Sequence, residues 1–377
     1  MKFLEVHVVQ NLPPSALNRD DTGRPKAVVW GGVERVRISS QAQKRATRLL
    51  FREFALVPEE ERAVRTRRAE GLLEEALKGL GEEERKALVR ALFQALGLKV
   101  KEDKGVLLSE YLLFLGRREA EALARAALRH KEALLAFAKA REEAEDKKKR
   151  KAGSGELPKE ALEDLKRAFG VSLEVALFGR MIADLEDQGV DGALSVAHAV
   201  GTTADPVDED YFTAVDDLVK GQGAAGMIEA RGFAAGTVYR YAVLDLGELS
   251  ELVGRERALL GAKALLKAFP LALPGGARRA FAHYGEPEFV LVRAGEGLPR
   301  NLAKAFARPV EAGGEDPALA SARRLLAYLE RLDRTYGKPR SEGLGAVSLF
   351  EEPLPVPLYE GFDRLTEEAL GWAERLL

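Results

Sequence analysis

The stretch that decides the fold is Val33-Glu-Arg-Val-Arg-Ile-Ser-Ser-Gln-Ala-Gln-Lys-Arg-Ala-Thr-Arg48, continuing to Arg52. A short run of β-branched residues gives way at Ser39-Ser40 to a helical pattern. Arg35, Arg37, Lys44, Arg45, Arg48 and Arg52 follow one another with no acidic residue between them. Ser40 is expected to cap a helix over residues 41–54, with Gln43 completing a capping box. Lys44, Arg48 and Arg52 then recur every four residues and share one face. Ala42, Ala46, Leu49 and Leu50 have the spacing of a core-facing stripe. Cations, hydroxyls and free backbone N–H groups at one helix start suit an anion, and phosphate fits best. A solvated basic face is the other reading.

Working outward, 58 Lys and Arg against 60 Asp and Glu leave the 377-residue chain near neutral, so those six cations are a local feature. Such a chain does not coat nucleic acid indiscriminately; any binding surface is local. Length allows one large domain or two ordinary ones. No run approaches the roughly 18 apolar residues of a membrane helix. The N-terminus lacks a signal peptide's apolar core, so a cytoplasmic location is expected. The absence of cysteine removes disulfides and thiolate metal sites. Three asparagines in all, with abundant Arg, Glu, Leu and Ala, fit a thermophilic source.

Before the basic stretch, residues 2–9 read as a strand, with Leu4, Val6 and Val8 on one face and Phe3, Glu5, His7 and Val9 on a more polar one. Pro13-Pro14, Gly23-Arg-Pro25 and Gly31-Gly32 predict a long irregular loop. From Glu59 to about Phe169 the pattern is helical throughout. Residues 145–156 read as a basic, glycine-containing linker. Val171–Phe178 alternates as a strand does, and Ala193–Val200 reads as a short helix carrying His198. Thr237–Leu246 and Glu288–Arg293 read as strands, with an amphipathic helix over residues 250–269 between them. The order β, α, helical insertion, β, long insertion, β, α, β gives an α+β, ferredoxin-like (RRM-like) fold.

In the long insertion, Tyr211 and Phe212 sit among acids and glycines. Two adjacent aromatics in a surface loop need a cover. They either anchor the loop on its own domain or stack on nucleobases. Asp20-Asp21 admits a metal-dependent endoribonuclease reading. The four histidines have no metal or triad spacing, and no phosphate-binding loop or nucleophile elbow occurs. A non-catalytic protein with no cofactor and no metal is expected.

Several stretches in order resemble the CasC family, the repeated backbone protein of the type I-E CRISPR complex Cascade. They are Asn18-Arg-Asp-Asp21, Gly31-Gly32, Arg35–Gln41, Lys44-Arg-Ala46, Gly179-Arg-Met181, Val190–Ala199, Tyr211–Leu218 and Gly236–Ala242. Each is weak alone; the ordered set is specific. The resemblance implies a hand-like subunit. Residues 1–57, 171–184 and 231–377 would form the palm, 58–170 helical fingers, and 185–230 a thumb loop. It implies that Arg19, Lys26, Ser39, Ser40, Gln41, Lys44, Arg45 and Arg48 hold the guide RNA (crRNA) backbone. Met181 would wedge against a displaced base, and Tyr211, Phe212, Thr213 and Val215 would push bases apart. The implied partners are crRNA, target DNA paired to it, further copies of the chain in an open helix, and other Cascade subunits, with no membrane. Related subunits of other CRISPR classes cut RNA with a loop aspartate; the type I-E branch is regarded as non-catalytic.

Overall fold

The computed structural model describes residues 1–146, 157–182, 185–215 and 225–377. The core of the basic linker, 147–156, and the middle of the second insertion, 216–224, lie outside them. Twelve strands occur among the described residues: β1 Lys2–Ser15, β2 Ala27–Trp30, β3 Val33–Ile38, β4 Ala63–Arg68, β5 Val100–Asp103, β6 Val106–Gly116, β7 Leu194–Val196, β8 Ala199–Gly201, β9 Asp208–Val215, β10 Ala225–Asp245, β11 Phe289–Glu296 and β12 Arg340–Ser348. The chain divides into two compact units, one of residues 1–56, 194–250 and 258–377, the other of residues 57–193 and 251–257.

The first unit is built on an antiparallel sheet of order β12-β11-β1-β10-β8-β3-β2, with β7 and β9 also paired to β10. β1 lies between β10 and β11, and residues 3–10 are buried on both faces. Its polar face therefore points into protein. Glu5 accepts hydrogen bonds from Tyr241 Oη at 2.7 Å, Arg293 Nη1 at 3.0 Å and the Arg300 N–H. Burial raises the Glu5 pKa, and the Arg293 charge opposes that shift. The same face joins a core of Phe3, Val9, Tyr239, Leu291, Phe306, Leu325 and Leu329, closed by the helix Pro317–Tyr336.

Parts of this unit differ from the sequence reading. The long loop expected before the basic stretch is present over residues 16–26, but Pro13 and Pro14 lie in β1, and its end is the β2–β3 hairpin, turned by Gly31 and Gly32 at φ +65° and +82°. Two consecutive positive φ values are what a two-residue hairpin turn demands. The segment expected as a short helix at 193–200 forms β7 and β8, which pair with β10. The helix expected over 250–269 is broken at Gly254, φ +85°, into Leu246–Val253 and Arg255–Ala268.

The second unit is not purely helical. Its helices accompany a three-stranded antiparallel sheet, β4-β6-β5, around a core that includes Leu88, Leu92, Leu115, Leu123 and Phe169. The strand expected at 171–178 is the helix Leu173–Phe178, whose residues Leu173–Leu177 are buried. Burial on every side erases the periodicity that separates a short helix from a strand. Glu174 sits inside and accepts the Ala63 N–H at 2.9 Å. Gly179, φ +78°, ends the helix. Next, Arg180 exchanges two backbone hydrogen bonds of 2.8 Å with Val190. Its guanidinium donates to the buried Glu119 at 2.9 Å. Met181 therefore follows a fixed residue rather than ending a strand, and it is 87% exposed.

Candidate nucleic-acid interface

The basic helix, α1 (Ser40–Glu53), is capped by Ser39 rather than Ser40. The Ser39 hydroxyl accepts the Ala42 N–H at 3.2 Å. Ser40 N–H instead donates to His198 Nδ1 on the loop between β7 and β8, at 3.1 Å. Gln43 completes no capping box. It is fully buried, donating to the carbonyls of Ile38 and Ala197 and accepting from Arg240. The inward face of α1 is Gln43, Ala46, Thr47 and Phe51; of the expected stripe Ala46 is buried and Ala42 packs partly buried against a core, whereas Leu50 is only partly buried and Leu49 is exposed. Two hydrogen-bonded polar side chains, Gln43 and Thr47, take the inward places expected of Leu49 and Leu50. That rotation leaves Gln41, Lys44, Arg45 and Arg48, at i, i+3, i+4 and i+7, on one face. Gln41 and Arg45 are exposed, while Lys44 and Arg48 are partly buried.

Residues 18–26 are stitched to this helix start. Asn18 Oδ1 accepts the Ser39 N–H at 2.8 Å, and Asn18 O accepts the Lys26 N–H at 2.8 Å. Lys26 O in turn accepts the Arg37 N–H at 2.9 Å. The result brings the exposed Arg19 and the partly buried Lys26 and Arg37 to the α1 N-terminus. Burial, followed by the charges of Arg37 and Lys26, holds the His198 pKa below its ordinary value. Arg35 does not join this group. It is wholly buried, its guanidinium donating to the carbonyls of Gly201, Phe306 and Ala307. A strand arginine of this kind holds the interior together, and charge counting cannot distinguish it from a surface one.

Asp20 is engaged in its own loop. One carboxylate oxygen accepts from the Thr22 hydroxyl at 2.7 Å and from the N–H groups of Thr22 at 2.9 Å and Arg24 at 3.0 Å. The Thr22 hydroxyl is the main reason its pKa is lowered. Among the described residues no group of three His, Cys, Asp or Glu side chains is placed to hold a metal ion.

The aromatic pair sits on a β-hairpin arm rather than in a loop. β9 pairs with the first half of β10, setting Tyr211 opposite Ala230, Phe212 opposite Glu229, Thr213 opposite Ile228 and Val215 opposite Ala225. Alternation separates the aromatics. Tyr211 is 71% exposed, whereas the Phe212 ring lies under the Arg231 guanidinium at 5.6 Å. The Tyr211 face also carries Glu209, which pairs with Arg24 at 3.1 Å. Nearby, the backbone of Gly232 lies against the Pro25 ring. The 18–26 loop thus connects the α1 start to the hairpin base. Sequence reasoning undervalued Asn18 and Arg37; an Asn beside a turn, able to accept from a cap N–H, is the usable signal for the first.

A family model of CT1975-like proteins matches residues 4–353. The chain also resembles a subunit of a solved structure described as a CRISPR RNA-guided surveillance complex, pre-nicking. That match has 31% identity and a TM-score of 0.83, and covers 98% of this chain and 100% of the other. A second such chain, from a CRISPR RNA-guided surveillance complex, has 27% identity and a TM-score of 0.73, covering 98% and 99%. No curated protein matches the chain. These matches agree with the resemblance to CRISPR backbone proteins carried by the motifs. The chain belongs to the CT1975-like protein family.

Proposed function

We propose that the chain is a non-catalytic, CasC-like backbone subunit that binds guide RNA in a type I-E CRISPR surveillance complex. The observation that carries this reading is the hydrogen-bonded junction of the 18–26 loop with the α1 start. It brings Arg19, Lys26, Ser39 and Ser40 to the start of the helix that carries Gln41, Lys44, Arg45 and Arg48, and it adjoins the hairpin bearing Tyr211. Phosphate contacts of this kind fix the position of a strand without reading its sequence. The two solved structures named above are described as CRISPR RNA-guided surveillance complexes.

The sheet order β11-β1-β10-β7/β8, with helices after β1 and after β10, supports a ferredoxin-like palm. The β9–β10 arm supports the thumb and the second unit the fingers. In the proposed assembly, copies join head to tail, a heterologous contact that propagates as an open helix. Tyr211, Phe212, Thr213 and Val215 separate bases, Met181 wedges one, and the exposed segments pair with target DNA.

Co-expression with a CRISPR array tests the reading, through the ratio of absorbance at 260 and 280 nm and the length of the extracted RNA. A discrete RNA, protected in proportion to the protein copies bound, is expected. A nucleic-acid-free protein that ignores added guide RNA overturns it.

A further inference from the structure

We infer that residues 274–286, between the helix Arg255–Ala268 and β11, form a second single-stranded RNA contact, with Tyr284 as the stacking surface and Arg279 as the phosphate contact. This rests on the guide-RNA reading and extends the RNA path beyond the 18–26 loop.

The segment is anchored from below. Arg240, fully buried, donates to the carbonyls of Phe269, Pro270 and Ala272 at 2.6–2.8 Å. His283, also buried, lies 3.1 Å from Pro274 O, and Gln10 donates to Gly285 O at 3.0 Å. Gly276 N–H donates to Leu17 O at 3.1 Å, and a Cβ at Gly276 would come within 2.4 Å of that oxygen. Leu17 adjoins Asn18, the residue that accepts from the cap of α1. Phe281 faces Phe233, at the base of the hairpin, with ring centroids 6.3 Å apart. The segment is therefore fixed to both parts of the candidate site.

Between these anchors the backbone is strained. Ala277 and Ala282, at φ +49° and +48°, flank the four-residue helix Arg278–Phe281. Alanine in the left-handed region costs about 1–2 kcal/mol and persists only where the surroundings impose it, as they do at binding sites. The strain turns two groups outward. Tyr284 is 70% exposed, with the Arg278 guanidinium 5.3 Å from its ring centroid, and Arg279 is exposed. An exposed ring with a cation on it, and a second exposed cation five residues away on the same anchored segment, has the composition of a single-strand stacking site. A nucleobase takes the open ring face and a phosphate takes Arg279.

The test uses full-length protein with a synthetic guide RNA carrying 4-thiouridine at single positions. Tyr284→Ala is expected to weaken binding about tenfold with an unchanged salt slope, and Tyr284→Phe to bind as the parent does. Arg279→Ala is expected to reduce the slope of log affinity against log salt by about one. A crosslink to the peptide containing Tyr284 is expected, and it decides the matter if Tyr284→Ala also lowers the thermal midpoint. Parent-like binding by both alanine variants, while Lys44→Ala weakens it, overturns this inference and leaves the guide-RNA reading standing. Normal RNA binding per protomer with loss of the array overturns it too, assigning the segment to a protein neighbour. A parent protein that binds no RNA removes both readings.

Discussion

Ser40 and His198, 158 positions apart, are joined by a hydrogen bond of 3.1 Å from the Ser40 N–H to His198 Nδ1. A ring nitrogen that accepts carries no proton, so His198 is neutral and protonated on Nε2 when the helix start is intact. Protonating Nδ1 would break the bond and place a third positive charge beside Arg37 and Lys26. Because the folded-state pKa lies below 6.5, the unfolded chain binds this proton more readily. The contribution of His198 to stability is therefore complete above about pH 6.5 and is lost as pH falls from there through the folded pKa. An NMR titration should give a value below 6.5 in the native protein. In His198→Asn the amide oxygen can take the place of Nδ1, and the acid-side loss of stability should diminish. A native value at or above 6.5 removes the argument.

The β2–β3 turn separates two glycines that look alike in sequence. Both have positive φ, so alanine at either costs about 1–2 kcal/mol in backbone strain. At Gly32 a Cβ meets nothing within 4 Å, whereas at Gly31 it would lie 1.9 Å from Ala307 O. That oxygen also accepts from Arg35. Gly31→Ala should therefore destabilise clearly more than Gly32→Ala in chemical denaturation. Equal midpoints would show that the 302–307 segment yields freely.

Arg240 is fully buried inside the first unit. Its guanidinium donates to Gln10, Gln43 and three carbonyls, and burial pushes its pKa down to about 9, so it stays charged at neutral pH. Arg240→Met keeps bulk but leaves those acceptors unpaired, each at about 1–3 kcal/mol. A loss of at least about 3 kcal/mol is expected in denaturant titration. Gln43 is on α1, so the variant should also bind guide RNA less tightly than its stability alone explains. A loss below about 1 kcal/mol would mean water replaces the guanidinium.

Much of this was legible in the sequence, and what was not has physical causes. The helix over 41–54, the strand at 2–9 and the strand at 237–246 each had a long, unbroken period or a capping signal, and all three are present. The swap of strand and helix arose because 171–178 is short and largely buried, where apolar runs carry no period, and because 193–200 holds two strands of three residues each, too short to show one. The sheet β4-β6-β5 was hidden by helix-favouring neighbours and by the charged residues of its edge strands. Arg35 and Arg37 look equivalent as letters; the carbonyls of Gly201, Phe306 and Ala307, all distant in sequence, make the first an interior brace while the second stays partly exposed. That Lys44 and Arg48 lie on one face of α1 was legible because periodicity conveys it.

Tyr211 and Phe212 were read together, and the hairpin gives them different surroundings. Alternation sends Tyr211 to an open face and Phe212 to the face where Arg231 covers its ring. If the arm separates bases, the exposed ring should do most of that work and the covered ring should hold the arm in shape. Tyr211→Ala is expected to leave the thermal midpoint unchanged and to abolish the periodic hyperreactivity of guide nucleotides to base-specific probes in the assembled complex. Phe212→Ala removes a cation–π contact of about 0.5–1 kcal/mol and should loosen the arm, seen as faster amide exchange along β9. Its effect on guide reactivity should be partial and spread over neighbouring nucleotides. The reverse pattern, a silent Tyr211→Ala and a Phe212→Ala that abolishes the periodic reactivity, would mean that Arg231 swings away on RNA binding and Phe212 is the inserted ring.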